Sequence, residues 1–156
     1  MRTSCIHFKL ADFVRPGESY HFAQTELTAD NAARCHDHDY HEVFWVTHGR
    51  GDHLLNGQSA PLLAGQLHLI RPQDRHRVTG SDDAPLRIAN LAFPSRAWAV
   101  VLQRYFGSER DWFGRPAGRR VWLLDARAQA GLTHWAARLA SPERFLQAPC
   151  GWLGGQ

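Results

Sequence analysis

Lysine is almost missing from this chain: Lys9 is the only one, and the rest of its 18 basic side chains are arginine. The formal net charge is only +3, an excess too small to mark a nucleic-acid-binding surface. Cysteine is scarce as well. Cys5, Cys35 and Cys150 are an odd number at no recurrent spacing, which argues against a disulfide framework and for a reducing, cytoplasmic setting. Cys35, on the opposite strand face from its histidine neighbours, is expected to be a packed thiol. No apolar run approaches the roughly eighteen residues of a membrane span, and the N-terminus lacks a signal-peptide core. What is present is ordinary for a globular protein: 44% hydrophobic and 21% charged residues over 156 positions. A chain of this length buries about two-thirds of its unfolded surface and can fold alone.

Alternation of apolar and polar residues dominates the first 93 positions. Cys5 to Leu10 and Tyr20 to Leu27 alternate, separated by the turn residues Arg15-Pro-Gly-Glu-Ser. Val43 to Arg50 reads as extended, Gly49-Arg-Gly51 reverses the chain, and Asn56-Gly57 is a strong two-residue hairpin signal because both residues tolerate positive φ. Gln66 to Arg71, Arg75 to Thr79 and Leu86 to Phe93 complete about eight short strands. Strands spaced about ten residues apart, without intervening helices, indicate a sandwich or barrel. After Pro94 the period changes. Ser95 is read as an N-cap, and Trp98, Val101, Leu102, Tyr105 and Phe106 form a helical stripe that ends at Gly107 and is expected to pack on the barrel wall. Residues 108–120 read as an ordered loop and Val121 to Leu124 as extended. Asp125 caps a second helix with Leu132, Trp135, Ala136 and Leu139 on one face. Ser141-Pro142-Glu143 opens a third, short helix, and the tail from Cys150 should fray.

The chemistry gathers in His36-Asp-His38-Asp-Tyr40-His41-Glu42. Alternate residues of an extended chain share a face, so the imidazoles of His36 and His38 converge, and a turn returns the carboxylate of Glu42. Imidazole nitrogen with carboxylate oxygen suits a divalent transition metal such as Zn, Ni, Fe or Mn. The bland alternative is a solvated histidine-rich turn. Downstream, Pro72-Gln-Asp74-Arg-His76 follows a strand and offers His76 as a fourth ligand.

The run His36-x-His38-x(3)-Glu42-x(6)-Gly49, with Gly65 to His76, resembles the two signatures of the cupin superfamily. The resemblance implies a mainly β fold, a double-stranded β-helix (jelly roll) barrel over residues 1–93, with a metal held by His36, His38, Glu42 and His76. The second signature departs from the family pattern: Pro72-x-Asp74-x-His76 is one residue shorter than usual and lacks its glycine. A barrel followed by helices over 94–156 is similar to the ligand-sensing domain of AraC-type transcriptional regulators, whose helices make dimer contacts. Tyr40 to Gly49, the Asn56-Gly57 hairpin and Arg87 to Phe93 resemble the chitooligosaccharide-responsive branch. That family carries a DNA-binding unit after the helices. This chain has no room for one, so by itself it is not expected to hold an operator.

Two function classes follow. In the first, a small ligand such as a sugar enters the barrel mouth, meets the metal, and is lined by Tyr40 and His48. In the alternative, a stand-alone cupin metalloenzyme of dioxygenase or isomerase type, the same site would be catalytic. No separate general base can be named, since His41 reads as an exposed turn residue, and His53 and His68 read as surface or packing residues. The helical extension favours the sensor.

Overall fold

In the computed structural model, which describes residues 5–140, the alternating segments become ten strands: β1 Ile6–Phe8, β2 His21–Leu27, β3 His36–His38, β4 Tyr40–His48, β5 Arg50–Leu55, β6 Gln58–Leu63, β7 Gln66–Ile70, β8 His76–Gly80, β9 Leu86–Pro94 and β10 Val121–Leu123. They form two five-stranded sheets, ordered β1-β3-β8-β5-β6 and β10-β7-β4-β9-β2. The inner faces of the two sheets pack together. Phe44, Val46, Ile70, Leu86 and Ile88 from one meet Leu62 and Val78 from the other in a single apolar cluster. This is the expected mainly β barrel.

Strand β4 explains why its sequence reads as a nearly continuous apolar run. Tyr40, Glu42, Phe44 and Val46 point into the barrel, while Val43 and Trp45 point outward into a second cluster with Ala89, Leu67 and Phe22. Both faces are covered, so strict alternation is lost. The turns follow the glycine signals. Asn56 (φ 51°) and Gly57 (φ 85°) are both left-handed, as a two-residue hairpin between β5 and β6 requires. Gly49 has φ 76°, and a Cβ there would meet the Pro85 carbonyl oxygen at 2.0 Å.

Helix α1 (Ser95–Val101) continues into a wider π-type turn, Leu102–Phe106, which ends at Gly107 (φ 72°). Two sequence expectations fail here. Ser95 is not the cap: β9 runs through Pro94, which pairs with Tyr40, so Ser95 is already inside the first turn. Tyr105 is exposed, because the wider turn shifts the angular phase of the stripe and swings it off the wall. Trp98 and Phe106 do pack, around Trp112 and Phe113 of the following loop. Helix α2 (Ala126–Leu139) is capped by Asp125, whose carboxylate accepts from the Ala128 N–H at 2.8 Å. It lays Leu132 and Ala136 on Trp45 and Ala89, but Trp135 faces solvent. The expected third helix and frayed tail lie outside the described residues.

Cys5 and Cys35 are joined by a disulfide, against the expectation of free thiols and a packed Cys35. The reason is topological. β1 and β3 pair in parallel with Ile6 opposite His36, so the residues just before each strand also face one another, with Cα atoms 4.8 Å apart. A pairing between segments 30 residues apart leaves no mark on local spacing.

Candidate metal centre

Strands β3 and β8 are antiparallel neighbours, and His36 lies directly opposite His76. The pleat turns His36 and His38 inward and Asp37 outward, where it meets His7 at 2.5 Å. Asp39 breaks the chain between β3 and β4, so Glu42 arrives from the opposite sheet, paired with Ala92 and Ile70. Three imidazoles from one sheet thus face one carboxylate from the other. All four side chains are buried.

Distances and hydrogen bonds define what these groups can do. Glu42 Oε2 is 3.3 Å from His38 Nε2 and 3.9 Å from His76 Nε2. Ligand atoms of His36, Glu42 and His76 lie within 4.8 Å of one another. His38 reaches the carboxylate without joining this tightest trio. Two atoms bound to one first-row ion at 2.0–2.2 Å sit roughly 3 to 4.3 Å apart, close to the observed spread.

Protonation follows from the partners. The Nδ1 atoms of His36 and His38 lie 2.7 Å from the Arg34 and Tyr40 carbonyl oxygens. A carbonyl only accepts, so each Nδ1 carries a proton and Nε2 is the nitrogen each ring turns inward. His76 Nδ1 is 3.4 Å from His53 Nε2. Burial lowers the pKa of His36 and, most strongly, of His76, which keeps both rings neutral. The Nε2 atoms of all three histidines and Oε2 of Glu42 are buried with no hydrogen-bond partner among the described residues. Asn90, on the inward face of β9, donates to Glu42 Oε1 at 2.7 Å and so fixes which oxygen faces the histidines. Four unsatisfied lone-pair atoms aimed at one place are costly unless a cation occupies it. Neutral imidazoles with one carboxylate fit a first-row transition ion better than Mg or Ca.

The remaining sequence candidates divide. Tyr40 is wholly buried, stacks on His38 with centroids 4.1 Å apart, and has a hydroxyl without a partner. Burial, and then the charges of Glu42 and Asp39, raise its pKa and keep it protonated. His48 is exposed at the opposite end of β4 and is not brought to the cluster, because the strand carries it six residues beyond Glu42. His41 is not a solvated turn residue: it lies in β4, packed against Phe93 and Phe113 of the outer layer. His53 and His68 are buried rather than on the surface, with pKa values lowered by burial to about 4 and about 3. His53 touches His76, and His68 stacks on Phe44. Asn90 is not a residue that the sequence patterns single out, although a lone amide on the inward face of an apolar strand is a usable signal.

Comparison with known proteins agrees with this architecture. The chain is 40% identical over 60 residues to the HTH-type transcriptional activator RhaS of Escherichia fergusonii, covering 38% of this chain and 21% of that protein. It is 37% identical over 77 residues to RhaS of an Escherichia coli strain, covering 49% and 28%. The chain therefore spans only about a quarter of these relatives. The fold is similar to that of ToxT from Vibrio cholerae, solved bound to (E)-4-(8-methylnaphthalen-1-yl)but-3-enoic acid, with a TM-score of 0.59, 11% identity, and coverage of 83% of this chain and 52% of that one. Residues 19–148 match the AraC-like ligand binding domain. With most of its length inside that match and the barrel-plus-helix architecture to go with it, the chain belongs to the AraC-like ligand-binding domain family.

Proposed function

We propose that this domain is the sensor of an AraC-type transcriptional regulator, and that it holds a divalent transition ion through His36, His38, Glu42 and His76. The observation that carries the reading is the set of four buried, partnerless ligand atoms on these residues. When bound, such an ion supplies a Lewis-acidic anchor for ligand oxygens. The ligand is a small polyhydroxylated molecule such as a sugar, and the Tyr40 hydroxyl is its second polar contact. Attachment of the helical extension to the outer sheet through Leu132 and Ala136 favours a relay over a stand-alone enzyme. The outward face of α2, with Trp135 exposed and Arg138 over its ring, is the surface offered to a second copy.

Metal analysis of untagged protein tests the site. One equivalent of Zn, Ni, Fe or Mn is expected in the wild type and far less in His36→Ala; equal content in both would remove the site. Thermal shift against mono- and disaccharides tests the ligand class, since a ligand at about 100 times its Kd stabilises by about 2.7 kcal/mol. No shift with any sugar would discard that class. Sedimentation at micromolar concentration tests the second copy, and a strict monomer would refute it.

A further inference from the structure

Two residues before His76 stands a buried carboxylate. Asp74, 1% exposed, sits in the turn between β7 and β8, where the cupin signature has its glycine. One of its oxygens accepts from the Arg71 backbone N–H at 2.9 Å and from Arg120 Nη1; the other accepts from Asn56 Nδ2 at 2.9 Å and Arg71 Nη2 at 3.3 Å. Asn56 also receives the Arg75 N–H on its Oδ1 and donates its own N–H to the Arg75 carbonyl, so the residue next to His76 is clamped twice.

Arg120 comes from a distant part of the sequence, 46 residues after Asp74. It is wholly buried, the last residue before β10, and it is fastened to β7 by its backbone as well as its side chain: Leu69 N–H donates to the Arg120 carbonyl and Arg120 Nη1 donates to the Leu69 carbonyl, each at 3.0 Å. β10 then pairs with β7, Val121 opposite His68, and leads directly into α2. Of the two guanidinium groups on Asp74, the half-buried one, Arg71, belongs to the turn itself, and the fully buried one, Arg120, belongs to the extension. If the pair parted, Asp74 would keep Arg71, but Arg120 would be left as an uncompensated charge in an apolar surrounding. The pair is a two-position contact.

We infer that Arg120 is a positioning residue for His76, and that the Asp74–Arg120 pair is the link through which occupancy of the barrel site and docking of β10 and α2 reinforce one another. The inference rests on the metal reading above and assigns its regulatory output. Filling the site draws the imidazole of His76 inward and favours the clamped turn, which favours a docked extension. By reciprocity, loosening the extension weakens the site.

The test uses the whole chain with Zn(II) or Ni(II) alone as probe. Affinity is measured by competition with a chelator, and hydrogen exchange of residues 121–139 is followed with and without metal. The double variant Asp74→Asn/Arg120→Met removes both charges together, so no stranded charge unfolds the barrel. Arg120→Lys keeps the charge but loses the planar fork. Expected are a 10- to 100-fold weaker affinity in the double variant, a smaller loss in Arg120→Lys, and metal-dependent slowing of exchange over 121–139 in the wild type that vanishes in the double variant. Leu27→Ala, which destabilises the core from the end of β2, should leave affinity unchanged. Wild-type affinity in the double variant, or the same exchange response in both proteins, overturns the coupling and leaves the metal site standing. A wild type that binds neither metal overturns the metal reading and the coupling with it.

Discussion

Replacing Glu42 by Gln separates what this carboxylate costs the fold from what it does for the site. Glu42 is 2% exposed, and among the described residues its carboxylate accepts one hydrogen bond, from Asn90. A carboxylate charge held this deeply without a counter-ion costs several kcal/mol even after relaxation. Glutamine keeps the Asn90 bond through its own carbonyl oxygen, and its NH2 group can donate to His38 Nε2, which lies 3.3 Å from the present Oε2. In the presence of a chelator, Glu42→Gln should therefore be more stable than the wild type, by about 1 to 2 kcal/mol. With metal the order should reverse. At a free metal concentration about 100 times the wild-type Kd, binding stabilises the wild type by about 2.7 kcal/mol; a variant binding about 100-fold more weakly gains only about 0.4 kcal/mol. Urea unfolding followed by circular dichroism, with EDTA and then with Zn(II), measures all four stabilities. Crossing of the two proteins' order is the expected result. Equal stabilisation of both by metal, or a variant less stable than wild type by more than about 2 kcal/mol in EDTA, would refute the reasoning.

Three further outcomes are expected. His68, stacked on Phe44, has a folded pKa of about 3, below its unfolded value near 6.5, so in acid the unfolded chain takes up the proton first. Its contribution is intact above about pH 6.5 and is lost on acidification towards pH 3, at up to about 1.4 kcal/mol per pH unit; the metal-free stability curve of His68→Phe should be shallower over that range, and parallel curves would contradict this. Reduction of the Cys5–Cys35 disulfide, which closes a 30-residue separation, should lower stability by about 3 to 4 kcal/mol in chain-entropy terms, read from urea midpoints with and without dithiothreitol; unchanged midpoints would exclude the bond. Asn90→Ala leaves Glu42 Oε1 unpartnered and free to rotate, so metal affinity should fall 10- to 100-fold while near-ultraviolet dichroism stays native; unaltered affinity would remove Asn90 from the site.

The sequence by itself determined the parts of this protein that depend on near neighbours. Period-two alternation marked the strands, Asn56-Gly57 marked a hairpin that only left-handed residues can make, and Asp125 marked the start of α2, because each signal acts within a few residues. His36, His38, Glu42 and His76 were nameable because their spacing is a local consequence of pleat and turn, read together with the family signature. The tertiary structure decided everything that rests on pairing between distant segments. Parallel β1 and β3 bring Cys5 to Cys35, the arrival of β10 on β7 buries Arg120 beside Asp74, and β9 turns Asn90 towards Glu42. The same long-range packing withdrew His41 from solvent, left His48 outside the site, and swung Tyr105 off the wall. A side chain's role in these cases is fixed by which strand lies opposite, and that partner is chosen by burial over the whole barrel rather than by the residues on either side.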